Sequence, residues 1–124
     1  MKIDYAIIFV SDMKRSIGFY KNILGLPLKF ETTHWTEFST ESVTLALHKS
    51  DVTTLVKENP KPEPPGRCRT GFSVSNLDEF HKRMIEYGVE CVQEPKEVFG
   101  AMIAQYLDPD GMVFGVSENK QLTK

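Results

Sequence analysis

The first half of this chain is written a second time in its second half, and that repeat limits the folds open to it. FVSDM at 9 to 13 recurs as SVSNL at 73 to 77, an offset of 73 − 9 = 64. Gly25 has its counterpart in Gly88, at 88 − 25 = 63, so one residue is lost within the intervening helix. TESVTLAL corresponds in the same way to DPDGMVFGV, with Leu47 opposite Val116. A supersecondary unit of this size cannot bury its own apolar face alone, so two copies are expected to build one fold.

Each copy reads as strand, helix, then three strands. Residues 3 to 10 (IDYAIIFV) are rich in Ile, Val, Phe and Tyr and predict a strand. Ser11 or Asp12 can cap a helix whose apolar positions Met13, Ile17, Tyr20 and Leu24 recur at three to four, closed by Gly25. LKFETT, HWTEFS and SVTLALHK predict three further strands, with a turn at 40 to 42. KENPKPEPPG, residues 57 to 66, holds four prolines and can neither continue a helix nor sit in a central strand, so it predicts a linker. TGFSVSNLDEFHKRMIEYGVECVQEP then restarts the pattern. The expected organisation is a first βαβββ module at 1–56, a proline-rich linker at 57–66 and a second module at 67–120. Together they predict one α+β domain.

Composition removes several function classes. The net charge is 15 − 17 = −2 with no run of Lys or Arg, which leaves no electrostatic footprint for nucleic acid or an anionic membrane. No stretch approaches the ~20 apolar residues of a membrane span, and the apolar run in MKIDYAIIF is too short for a signal peptide. A cytoplasmic location is expected. Cys68 and Cys91 lack a CxxC spacing or a neighbouring His cluster, so they read as reduced thiols rather than a zinc site. No Ser-His-Asp set, phosphate-cradling glycine loop or paired carboxylates stand out, and DPDG supplies turn chemistry.

FVSDMKRSIGFYKNILGL near the start and YLDPDGMVF near the end carry a resemblance to the vicinal-oxygen-chelate superfamily. That superfamily holds glyoxalase I, the bleomycin-resistance proteins, fosfomycin-resistance enzymes and extradiol dioxygenases. The resemblance spans about residues 1 to 118. It implies cupped mixed sheets with helices on the convex side and a metal on the concave floor, held from four equivalent positions. Those positions fall here on Tyr5, Ala46, Arg69 and Gly115. Metal sites of this kind use His, Glu or Gln, whereas Ala and Gly offer no side-chain ligand and Arg is a permanent cation. No metal and no other cofactor is therefore expected. Reactions in which the ion polarises an oxygen lose their electrophile.

Strand alternation places Tyr5, Ile7 and Phe9 on the cavity face, with Trp35, Glu37, Thr44, Ala46 and His48 beside them. Arg69, Gly71, Ser73, Gln105, Val113, Gly115 and Ser117 are their repeat counterparts. The expected ligand-binding residues are Tyr5, Phe9, Trp35, Glu37, His48, Arg69 and Gln105. Aromatic walls with a few polar groups suit a small, flat, partly polar molecule. Each residue also has a plainer reading: Tyr5 as a half-buried strand tyrosine, Arg69 in an ion pair with Glu37 or Glu97, His48 at the surface, His34 and His81 facing solvent. The leading expectation is a metal-free small-molecule-binding protein of the bleomycin-resistance type, working as a homodimer. An enzyme using Glu37 and His48 as metal ligands, or Tyr5 and Arg69 against an oxyanion, is the first rival. A dimeric scaffold with a vestigial pocket is the second.

Overall fold

The computed structural model describes residues 1–51 and 65–118. The expected proline-rich linker lies outside the described residues, apart from a turn at Pro65 and Gly66. The chain divides into two compact units, Met1–Leu55 and Val56–Lys124.

In the first unit, β1 (Tyr5–Val10) leads into α1 (Met13–Ile17), followed by β2 (Leu28–Glu31), β3 (Trp35–Phe38) and β4 (Thr44–Lys49). The sheet order is β1-β4-β3-β2, with β1 parallel to β4 and the other pairs antiparallel. Asp12 starts the helix because its carboxylate accepts the Arg15 backbone N–H at 3.0 Å, satisfying an amide with no intrahelical partner. Alternation along β1 and β4 sends Ile8, Val10, Leu45 and Leu47 under the helix. There they are buried with Met13, Ile17, Phe19, Tyr20 and Phe38, each large side chain contributing about 1.5–3 kcal/mol.

The first helix is not uniform. After Ile17 it widens into a π-helical turn over Gly18–Ile23, where the Leu24 amide reaches back five residues to the Phe19 carbonyl at 2.9 Å. This turn absorbs the extra residue by which the first copy exceeds the second. It also lets the consecutive rings of Phe19 and Tyr20 both be buried, edge to face at 5.0 Å.

The second unit repeats the plan with β5 (Gly71–Val74), α2 (Leu77–Glu86), β6 (Cys91–Val98), β7 (Ala101–Leu107) and β8 (Val113–Glu118), in sheet order β5-β8-β7-β6. Asn76 caps α2 by accepting the Glu79 amide at 3.0 Å, and Gly88 takes the left-handed backbone after it. Phe72, Phe80, Tyr106 and Phe114 form a chain of ring contacts between helix and sheet. His81 departs from its expected solvent-facing place. It is half-buried, with Nδ1 2.9 Å from the hydroxyl of fully buried Tyr106, because that phenol needs a partner and α2 presents one. Both cysteines are free thiols. The chain thus adopts the expected α+β arrangement of two βαβββ modules, each a four-stranded mixed sheet with a helix on one face.

Candidate ligand-binding face

One face of each sheet is covered by its own helix, and the other face carries the residues of interest. In the first unit the register arranges that face in rows. Phe9, His48 and Trp35 stand side by side across β1, β4 and β3, and Ile7, Ala46 and Glu37 form the next row. Tyr5 and Thr44 lie in the third. The aromatic row is continuous: the Phe9 and His48 rings are 5.5 Å apart, and Trp35 meets His48 edge to face at 5.8 Å. Tyr5 and Phe9 remain 57% and 64% exposed, an unusual state for large apolar groups on a regular strand. Ala46, between the aromatic row and Tyr5, is fully covered by its neighbours.

Local bonds hold these side chains. The Thr32 hydroxyl accepts the Trp35 amide at 2.8 Å and donates to the Trp35 carbonyl at 2.7 Å, so the turn into β3 fixes the indole's position. Trp35 Nε1 in turn donates to Glu37 Oε2 at 2.9 Å. His48 Nδ1 lies 2.8 Å from the Lys49 carbonyl, which can only accept, so Nδ1 is the donor of this bond. A shallow hollow of about 590 Å³ opens at the Tyr5 end, with Glu37, Ser42 and Thr44 among its walls.

Lys29 belongs to this face as well. Leu28 pairs with Phe38 but Phe30 pairs with Glu37, so one residue of β2 is extra and the strand bulges at Lys29. Bulges re-aim side chains. Here Nζ donates to Thr44 Oγ1 at 2.7 Å and stands 3.9 Å from Glu37 Oε1.

The second unit places Gln105 opposite Gly115, and Gly115 opposite Gly71, on its uncovered face. Ser73, Ser117 and Ile103 form the adjoining row. Arg69 is half-buried and precedes β5 rather than lying within it, unlike Tyr5, which opens β1. Five of the seven expected residues therefore share one face of the first sheet, while Arg69 and Gln105 belong to the other unit. The two uncovered faces have equal topology and different chemistry: the first carries an aromatic row, whereas the second has Gly71, Ser73, Gly115 and Ser117 at its centre with Lys96 beside Ile103. On the helix-covered side of the second unit, burial pushes the Cys91 thiol up, with Glu94 adding to it, and burial pushes the Tyr106 phenol up strongly, with Cys91 adding to it.

The residue types at the four positions are poor ligands for a divalent metal. Ala46 and Gly115 bring no ligating atom, and a Cβ built on Gly115 meets nothing within 4 Å, so no neighbour reaches into that space. Arg69, in the second unit, brings a positive charge, and Tyr5, in the first, brings an exposed phenol. Among the described residues no group of three or more His, Cys, Asp or Glu could hold an ion.

Two βαβββ modules, each with one helix-covered and one uncovered sheet face, define a glyoxalase-type fold. The chain belongs to the Glyoxalase/Bleomycin resistance protein/Dioxygenase superfamily, whose sequence model matches residues 2–116. It is 28% identical over 118 residues to the "Uncharacterized protein YraH" of Bacillus subtilis (strain 168), covering 89% of this chain and 92% of that one. Among solved structures, a glyoxalase/dioxygenase from Nostoc punctiforme superposes with a TM-score of 0.81 at 19% identity, covering 97% of this chain and 92% of the other. A lactoylglutathione lyase from Agrobacterium tumefaciens gives 0.72 at 18%, covering 95% and 93%. At these identities the two structures speak for the fold.

Proposed function

We propose that this protein binds a small aromatic, partly polar molecule on the uncovered face of its first sheet, without a metal ion, and does so as a cytoplasmic homodimer. The observation that carries this reading is the continuous row of Phe9, His48 and Trp35, with Phe9 64% exposed. A flat ring laid against that row gains aromatic contact along one side, and the polar groups around Glu37 set its orientation. The exposed apolar side chains of β1 support self-association, since such surface is seldom left in water.

Trp35 is the only tryptophan, so its fluorescence is a direct probe of the face. Titration with a panel of small aromatics should quench or shift that emission saturably. Failure of every member of the panel would overturn the reading. Native mass spectrometry with Ni²⁺, Zn²⁺, Mn²⁺ and Fe²⁺ should show a metal-free dimer, and one stoichiometric ion per chain would move catalysis to the front.

The catalytic alternative, a glyoxalase-like lyase or dioxygenase-type enzyme, draws its support from His48. Its imidazole shares a sheet face with Glu37, and Nδ1 is held by the Lys49 carbonyl, which leaves Nε2 as the ring nitrogen for proton transfer. Turnover of a bound aromatic, lost in His48→Ala while binding persists, would favour it.

A further inference from the structure

On the reading that the first sheet binds an aromatic molecule, the geometry points to the head group of that molecule: a zwitterion, a positive and a negative group a few ångströms apart, read by Lys29 and Glu37. The inference rests on how these two charges are held. Each has a close neutral partner, Thr44 Oγ1 at 2.7 Å for Lys29 and the Trp35 indole at 2.9 Å for Glu37. Their mutual contact is loose at 3.9 Å, near the limit of an ion pair. Glu37 Oε1 and the remaining protons of Lys29 Nζ are thus oriented and underused.

A monocation entering here must compete with Lys29 for Glu37, and a monoanion must compete with Glu37 for Lys29. A ligand bearing both charges inserts between them, giving its acid to Lys29 and its ammonium to Glu37, and no charge is left without a partner. The Lys2–Asp4 pair at 3.4 Å beside the same hollow keeps the surroundings balanced as well. Two features show that the arrangement is built. The Lys29 ammonium is tied to Thr44, which shares a row with Tyr5, and the aromatic row begins at Trp35, the residue that holds Glu37. An aromatic ring on one side and opposed charges on the other describe a small aromatic amino-acid-like compound.

The test uses probes that share one ring and differ in the head: phenylalanine, 2-phenylethylamine, 3-phenylpropionate and uncharged benzyl alcohol, titrated against Trp35 emission in the full chain. Phenylalanine should bind about tenfold more tightly than either singly charged probe, a modest ratio because both protein charges remain partly in water. Lys29→Met should move the preference to the amine and Glu37→Gln to the carboxylate. The exchanged double variant Lys29→Glu with Glu37→Lys should keep the zwitterion preference, with circular dichroism confirming that each variant is folded. Equal affinity for the three charged probes, or preference for one single charge in the wild type, would overturn the head-group inference while leaving aromatic binding in place. Silence from all four probes and from the wider aromatic panel would overturn both.

Discussion

The indole N–H of Trp35 donates to a carboxylate oxygen of Glu37 two residues along the same strand, at 2.9 Å, and so joins the aromatic part of the face to its charged part. Glu37→Ala should release the indole to water and shift Trp35 emission to the red, whereas Glu37→Gln keeps an accepting oxygen and should change it less. Trp35→Leu should weaken binding of any aromatic ligand by about tenfold, the scale of one ring contact. Thermal unfolding of Trp35→Leu should stay close to that of the wild type, since this side chain is only half-buried.

Tyr106 and Cys91 set the alkaline limit of stability. Burial raises both above their ordinary values, 10.0 for the phenol and 9.0 for the thiol, so the unfolded chain loses these protons first as pH rises. Their contribution is fully present below about pH 9 and is lost progressively above it, because the unfolded state then releases protons that the folded state retains. Denaturant midpoints measured from pH 7 upward should fall across this range. Tyr106→Phe should flatten the part of the fall that begins near pH 10, and an unchanged slope would count against the argument.

Asn76 closes the start of α2 with one side-chain bond. Asn76→Ala should cost about 1 kcal/mol in equilibrium unfolding, and Asn76→Asp should recover most of it.

Phe99 stands at the tip of the β6–β7 hairpin with φ of 51°, and at 105% relative exposure it packs against none of the described residues. L-residues other than Asn and Asp resist that backbone conformation. Phe99→Asn should therefore raise the melting temperature by a few degrees, read by differential scanning calorimetry. A fall would mean that the ring has a partner in the assembled protein.

Much of this architecture was legible in the residues. The doubled FVSDM and SVSNL segments located both β–α junctions, and alternation along TLALH put Thr44, Ala46 and His48 on one face, as the register confirms. Lys29 drew no attention as a residue of this face, because its bond to Thr44 and its nearness to Glu37 depend on how β2 pairs with β3, and the bulge between Leu28 and Phe30 is set by that pairing rather than by β2 itself. Helical spacing from Met13 to Leu24 concealed the π-helical turn, since apolar positions three and four apart look the same in either winding. The sole trace was the one-residue difference between offsets 64 and 63. His81 sits in the polar run DEFHKR, and nothing local shows that a buried phenol some 25 residues away requires it.

The parallel pairing of β1 with β4 has a consequence for how the chain becomes functional. Tyr5 aligns with Thr44, 44 − 5 = 39 residues later, whereas β2, β3 and β4 are joined by short antiparallel turns. Closing the longer loop carries the larger entropic cost, so the N-terminal strand should be the last part of its sheet to settle and the first to leave. Amide exchange by residue should show Tyr5–Val10 less protected than β4, and protected selectively when a ligand is present. Because that strand carries Tyr5 and Phe9, a nascent chain would have no competent site until its fourth strand had been synthesised, and a bound ligand would act as a clasp on the completed fold.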